Sequence, residues 1–378
     1  MENKKVCFFF GAGAELCFDI GGGNEFAKAV LGIDNEAMTD AISNFYEERI
    51  GKDSSWYPKF QEIGKNDEKF NQKLLEDSIR KKALTEEDEY KSQKEFDSYV
   101  KEKIINLSED EKKTILNNYP SYMGIIDGYF HTIIAPKFLG KQKFWTVVAC
   151  YTRACLFVCN AILKDKNYSE YLNNPKGTLE KIEKSIDKYT LTDSYYKRIK
   201  KNFNAKDISV VTTNYTPICE KVLGIDDQYI AHVNGKLGLF ECPRTLQVYD
   251  IRNTELPKDN DIYFPYLFIQ SGVKPIIEKY QITEYAKASR FLEKADELRI
   301  IGYRLNCDDN HMNSLIISRI HQKKKVIYFS YRDEKNVFWD QEKVKNILRL
   351  TGDCPNLKVV EINKQNKYQK FSEDWEVL

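Results

Sequence analysis

The chain opens on an unbroken apolar run, Val6-Cys7-Phe8-Phe9-Phe10, that stops at Gly11-Ala12-Gly13-Ala14. Apolar residues without polar alternation predict a strand buried on both faces, and glycines directly after it predict a turn into a helix. Over residues 34–204 the text becomes rich in Lys, Glu and Asp, with apolar positions every three or four residues, as in Asp67 to Ile105. That period predicts helices whose charged positions are solvated faces. The most apolar stretch, Phe144 to Leu163, is broken by Arg153 and Asn160 and starts beside Lys141 and Lys143, which predicts a buried helix and no membrane span. Strand signals return after Asp207, at 208–213, 229–233, 297–302 and 325–330, separated by helical patterns such as Tyr285 to Ala295. Val359 to Ile362 adds a candidate edge strand.

Strands alternating with helices predict the α/β class. The expected architecture is a doubly wound, mainly parallel, Rossmann-like sheet from residues 1–33 and 205–378, with a large helical insertion at 34–204. Charge removes one class of function. The 58 basic and 57 acidic residues among 378 leave a formal charge of +1, so direct nucleic-acid binding through phosphate neutralisation is not expected. The opening apolar run is too short for a signal-peptide core, which makes the expected location cytoplasmic. Nine cysteines, an odd number with no paired Cys-x-x-Cys elements, argue against a disulfide framework or a zinc ribbon. Cys150, Cys155 and Cys159 read as small side chains of the apolar helix. Asp308, Asp309 and His311 include one histidine and have no evident distant partner, so no metal is expected.

Four short elements carry candidate chemistry. Gly11 and Gly13 stand between a buried strand and a helix, where backbone N–H groups can face a phosphate, and Gly21-Gly22-Gly23 offers a second loop of close approach. Leu16 stands where a dinucleotide fingerprint has its third glycine, which leaves two readings: a nucleotide cradle, or a tight strand-to-helix turn. Thr212-Thr213-Asn214-Tyr215 ends a second strand, at the edge from which open α/β sheets present ligand-binding groups. Asn214 can hold a sugar hydroxyl or a water without ionising, or it can cap a helix that starts near Pro217. In Ala231-His232-Val233-Asn234-Gly235, extended geometry would project His232 and Asn234 to one side. His232 is then a candidate proton acceptor, with a buried structural histidine as the competing reading. Ile300-Ile301-Gly302-Tyr303-Arg304-Leu305-Asn306 is a strand and polar loop suited to an adenosine ribose or phosphate.

In this order the four elements resemble the sirtuin-like family, and its bacterial antiphage-defence branch of NAD-consuming proteins more closely than the zinc-containing deacylases. The resemblance covers residues 6–30 and 207–330. It implies that Gly11, Ala12, Gly13, Ala14 and Glu15, with Asp19 and Gly22 in the loop after them, enclose the phosphates and ribose of NAD. It further implies that Thr213 and Asn214 lie at the nicotinamide ribose, with Asn214 positioning the attacking group, and that Gly302, Tyr303 and Asn306 close on the adenosine half. Family members read Leu-His-Gly where this chain has Val233-Asn234-Gly235, so the implied catalytic set is Asn214 with His232 or Asn234.

The function expected from this resemblance is NAD glycohydrolysis to nicotinamide and ADP-ribose, by a regulated effector of bacterial antiviral defence that depletes NAD. NAD is then a substrate and no metal takes part. Control of such an activity implies an activating partner protein or nucleotide signal, and a homo-oligomer or hetero-complex. The alternative class is a catalytically weak subunit that binds NAD, ADP-ribose or another nucleotide as a signal.

Overall fold

The computed structural model describes residues 4–20, 25–26, 29–30, 36–50, 75, 79, 93–116, 141–242, 245–257, 262–267, 278–305, 309–330, 339–361, 364–365 and 368–369. Its main sheet has six parallel strands: β1 (Val6–Phe10), β2 (Ile208–Thr212), β3 (Ile230–His232), β7 (Glu297–Ile301), β8 (Lys325–Ser330) and β9 (Leu357–Glu361). Their spatial order is β3-β2-β1-β7-β8-β9. Within this sheet the path runs outward from β1 to β3 and then returns to the other side of β1, the doubly wound arrangement. The reversal falls between β1 and β7, so their carboxyl ends flank the crevice where such sheets place ligands.

Burial on both faces explains the opening sequence. Val6, Phe8 and Phe10 face one hydrophobic cluster and Cys7 and Phe9 the other, all at or near zero exposure. The first cluster joins the sheet to helices that connect β1 to β2, except that Val100 of the 93–105 helix packs in a separate small cluster. Of these the structure describes α1 (Glu36–Ile50), α2 (Gln93–Ile105), α3 (Glu109–Leu116), α4 (Lys141–Leu163), α5 (Tyr168–Asn173), α6 (Pro175–Ser185) and α7 (Tyr195–Asn202). The apolar α4 is a packed core helix, with Val148, Ala154 and Ile162 fully buried, and no described helix is long and apolar enough to cross a membrane. On the same face lies α8 (Ile218–Leu223), between β2 and β3. The opposite face is covered by α9 (Lys279–Lys294), α10 (Asn310–His321) and α11 (Gln341–Ile347), through Ala288, Leu292, Met312, Ile316 and Val344.

The expected strands and their parallel order are present, and the edge strand expected near 359–362 is β9. A second sheet was not expected. Strands β4 (Gly235–Cys242), β5 (Gln247–Asp250) and β6 (Phe264–Leu267) form an antiparallel sheet in the order β5-β4-β6. Its central strand escapes a search for alternation because it is buried along its whole length and contains Gly238 at φ +91°. The part of the charged stretch from 67 to 92 lies outside the described residues except for 75 and 79.

The crevice is set by glycine contacts. Gly302 sits at φ +70°, and a Cβ there would lie 2.1 Å from the backbone nitrogen of Ala14. Gly302→Ala should therefore destabilise the fold by about 2 kcal/mol or more, combining a left-handed backbone with a backbone clash. Chemical denaturation of the variant checks this, and an unchanged midpoint would refute the close packing of the two loops.

Candidate functional site

The loops leaving β1, β2 and β3 step across one another at the carboxyl edge of the sheet. Gly11 N donates to Ile301 O at 3.0 Å, Thr213 N to Phe10 O at 3.0 Å and Val233 N to Thr212 O at 3.1 Å. These bonds extend the parallel ladder by one residue and carry Asn214 over the glycine turn. The Asn214 amide Nδ2 donates to Gly11 O at 3.2 Å and lies 3.4 Å from the Tyr196 hydroxyl, to which it also donates. Its own backbone N–H bonds the Thr212 hydroxyl at 3.0 Å. Helix α8 takes Pro217 as its N-cap. Of the two readings of Asn214, the helix cap is thus not the one adopted.

The glycine turn itself is tightly closed. Gly13 N donates to Gly302 O and Ala14 N to Gly11 O, both at 2.9 Å. A Cβ on Gly11 would meet Gly302 O at 2.5 Å, and one on Gly13 would meet Gly302 Cα at 2.7 Å. The N–H groups of Gly11, Gly13 and Ala14 are therefore engaged within the protein, and the glycines are required by the contact of two loops. The turn leads into a short 3-10 helix, Ala12–Phe18, in which Ala12 is exposed and Ala14 and Glu15 are buried.

Glu15 is the hub of this edge. Its carboxylate accepts from the Tyr196 hydroxyl at 3.0 Å and from the Thr216 hydroxyl, which lies 2.9 and 2.7 Å from its two oxygens. Tyr196 comes from α7, a helix capped by the Ser194 side chain accepting from Lys197 N, with Tyr195, Tyr196 and Ile199 on its buried face. Its ring also packs edge-on against Phe10, with centroids 4.8 Å apart. Burial pushes the Glu15 carboxyl up to about 7, against the opposing bonds from Thr216, Tyr196 and Asn214.

His232 and Asn234 part company. The chain leaves β3 after His232 and turns through Val233 and Asn234, so the strand alternation that would align them ends there. Asn234 Nδ2 reaches back to Thr213 O at 3.3 Å, next to Asn214. His232 Nε2 instead lies 2.8 Å from Glu220 Oε1 and 3.9 Å from Asp227 Oδ1, and the ring is 1% exposed. The backbone N–H of His232 donates to Glu284 of α9 at 2.6 Å. Burial alone would raise the Glu220 carboxyl, but the His232 imidazole and Lys236 hold it below the ordinary value.

Glu220, Asp227 and His232 bring their ligand atoms within 4.8 Å of one another, a donor set of the kind a divalent cation takes. The Lys236 ammonium, 2.6 Å from Asp227 Oδ1, supplies a positive charge at that place.

The remaining expected residues fall into four groups. Thr213 is buried, with its hydroxyl donating to Phe10 O at 3.3 Å. Asp19 is exposed at φ +57°, and Lys164 at the end of α4 bonds its carbonyl at 2.8 Å. Tyr303 turns into the core on the other face of the sheet, against Phe9, and donates to Asn313 Oδ1 at 3.3 Å. Gly22 and Asn306 lie outside the described residues. The structure thus gathers Gly11, Gly13, Glu15, Thr213, Asn214, Asn234 and Gly302 at one edge and gives His232 a separate carboxylate partner. Sequence reasoning missed Tyr196, Thr216 and Glu220. Thr216 stands two residues beyond Asn214 and was within reach of a local reading, whereas Tyr196 is brought to Glu15 from 181 positions away.

No family model matches the chain, and no curated protein matches it. Among solved structures it is similar to a mutant Sir2 homologue in complex with ADP-ribose, at 16% identity, 48% of this chain, 78% of that one and a TM-score of 0.29. It is also similar to Sir2 in complex with the inhibitor EX-527, 2′-O-acetyl-ADP-ribose and a deacetylated p53 peptide, at 12% identity, 42% of this chain, 69% of that one and a TM-score of 0.28. A third is Sir2Tm bound to a propionylated peptide, at 13% identity, 42% of this chain, 68% of that one and a TM-score of 0.28.

The Glu15 environment has a measurable signature. Its folded value of about 7 lies above the reference of 4.5, so the native state holds a proton that the unfolded chain releases between these values. Stability contributed by this group is complete below the unfolded value and is lost as pH rises through the folded one. Relative to wild type, Glu15→Gln should remove a loss of roughly 3 kcal/mol between about pH 4 and pH 8. Denaturation midpoints across that window check it, and parallel curves for the two proteins would contradict a raised carboxyl.

Proposed function

We propose that the carboxyl edge of the sheet binds NAD and that the protein hydrolyses its nicotinamide–ribose bond. The observation that carries this reading is the Asn214 amide, held on the carbonyl of Gly11 beside the point where the strand order reverses. A ribose above that edge would meet the oxygen of the Asn214 amide and the backbone of the glycine turn, with Asn234 alongside. Because three turn N–H groups are already bonded, the pyrophosphate would be held by other groups of the surrounding loops.

The chemistry asks little of a strong acid. The carbon–nitrogen bond breaks with its electron pair leaving on nicotinamide, which departs neutral because it began as a cation, and charge develops on the ribose. A water oxygen then bonds the anomeric carbon and loses one proton. Asn214 orients that water and the ribose through its amide, a positional effect that converts a solution encounter into an intramolecular one. His232 is the titratable candidate for the proton at β3, and Asn234 is the non-titrating one.

Depletion of NAD has to be switched, and we place the protein with the cytoplasmic defence effectors it resembles, activated by a partner protein or a nucleotide signal acting through the helical segment or through assembly. Supporting this, α7 of that segment delivers Tyr196 to the site. A second reading is favoured by the pairing of His232 with Glu220: a site left with two asparagines binds NAD or ADP-ribose as a signal and hydrolyses nothing.

Incubating the protein with NAD and following nicotinamide release, with and without candidate activators, separates the readings. Hydrolysis is expected, and calorimetric binding with NAD recovered intact would establish the sensor instead. Asn214→Ala should lower kcat by about a hundredfold or more with the melting temperature kept. An unchanged rate removes Asn214 from the mechanism. Comparing His232→Gln with Asn234→Ala assigns the remaining role to whichever variant stops turnover while staying folded.

A further inference from the structure

The Asn214 amide is bonded to a titratable pair that neither the strand-end motif nor His232 accounts for. Asn214 Nδ2 donates to the Tyr196 hydroxyl at 3.4 Å, and that hydroxyl donates to Glu15 Oε1 at 3.0 Å. A phenol has one proton, so these bonds run one way, from amide to phenol to carboxylate. Thr216 contributes its single proton to the same carboxylate. With Glu15 ionised, every donor points at an acceptor. With Glu15 protonated at Oε1, the phenol oxygen faces two donors and its own proton loses its acceptor in a buried place, which is costly.

We propose that Glu15 is a positioning residue of this site: its ionised carboxylate, acting through Tyr196, holds the second hydrogen bond of the Asn214 amide, whose first is to Gly11 O, and protonation at Oε1 loosens that amide at the sheet edge. The effect on turnover rests on the NAD reading; the effect on Asn214 does not.

The groups around Glu15 leave it as the member that changes charge near neutral pH. From α7 comes Tyr196, from the 3-10 helix Ile186–Thr190 comes Tyr189, and from its own helix Cys17. From α8 come Cys219 and Glu220. Burial pushes both tyrosines and both cysteines up, Cys17 to about 12, so all four keep their protons. Glu220 is held low and stays ionised, and its charge adds to the rise at Glu15.

The test uses the full chain labelled with 15N-asparagine, with the Asn214 side-chain signal identified by its absence in Asn214→Ala. In wild type that signal should titrate with a midpoint near pH 7. Glu15→Gln, which preserves shape, should abolish the titration; Tyr196→Phe should shrink it, and His232→Gln should leave it in place. A signal that does not move between about pH 5 and pH 9 overturns the proposal, as does a titration that survives Glu15→Gln. Where NAD is turned over, kcat should fall about tenfold per pH unit below the midpoint in wild type and lose that slope in Glu15→Gln, with KM little changed. The NMR arm needs no turnover, so an inactive protein whose Asn214 signal titrates through Glu15 would reject the NAD reading and keep this one.

Discussion

The arrangement of this edge depends on one contact, the meeting of two backbones at Gly11, Gly13 and Gly302. Each glycine faces the other loop at a distance where a Cβ would overlap it, and Gly13 N donates to Gly302 O across the junction. The contact ties the exit of β1 to the exit of β7, the two strands between which the fold reverses direction. It also fixes the start of the 3-10 helix, and therefore where Glu15 enters the interior. The glycines that read as a phosphate cradle serve first to bring two loops together. Beyond that contact, the carbonyl of Gly11 receives the Asn214 amide.

Two carboxylates, buried Glu15 and partly buried Glu220, show how partners decide charge. Glu15 is surrounded by neutral hydroxyls and an amide, and burial dominates, so its carboxyl is raised. Glu220 is partly exposed, and although its partial burial opposes ionisation, His232 and Lys236 stand against it and its carboxyl is lowered. The same side chain is thus poised to exchange a proton in one place and locked as an anion in the other. Their charges also interact, since an ionised Glu220 raises Glu15 further. The two clusters are therefore linked electrostatically, although the His232 ring lies against Glu220 while the Asn214 amide bonds Gly11 and Tyr196.

Much of the fold was legible because its signals are local. β1, buried on both faces, reads as an apolar run, and β2, β7 and β8 were found from their β-branched and aromatic residues. The order of motifs placed Asn214 and the glycines at one edge. The antiparallel sheet was missed because the fully buried β4 lacks the period-two pattern and is interrupted by glycine. His232 and Asn234 were expected side by side because extended geometry was carried past His232, where β3 ends, and the turn at Val233–Asn234 sends them to different partners. Tyr196 was invisible for another reason. Nothing in its neighbourhood marks it beyond an ordinary amphipathic helix, and its hydroxyl acquires meaning only when α7 packs on β1.

That last point bears on what the long segment between β1 and β2 does. In a doubly wound sheet each parallel pair needs a crossover, and here the crossover from β1 to β2 is the helical segment itself. It cannot be an appendage, because its helices share the hydrophobic cluster that covers one face of the sheet, from Phe8 and Phe10 to Val148, Ile182 and Ile199. At the carboxyl edge its contribution is polar: Tyr196 at Glu15, and Lys164 on the carbonyl of Asp19. A displacement of α7 by about one ångström would lengthen the Tyr196–Glu15 bond beyond useful geometry while leaving the parallel ladder intact. A movement of α7 therefore reaches Glu15 directly, through the one Tyr196 hydroxyl that joins the helical segment to that carboxylate.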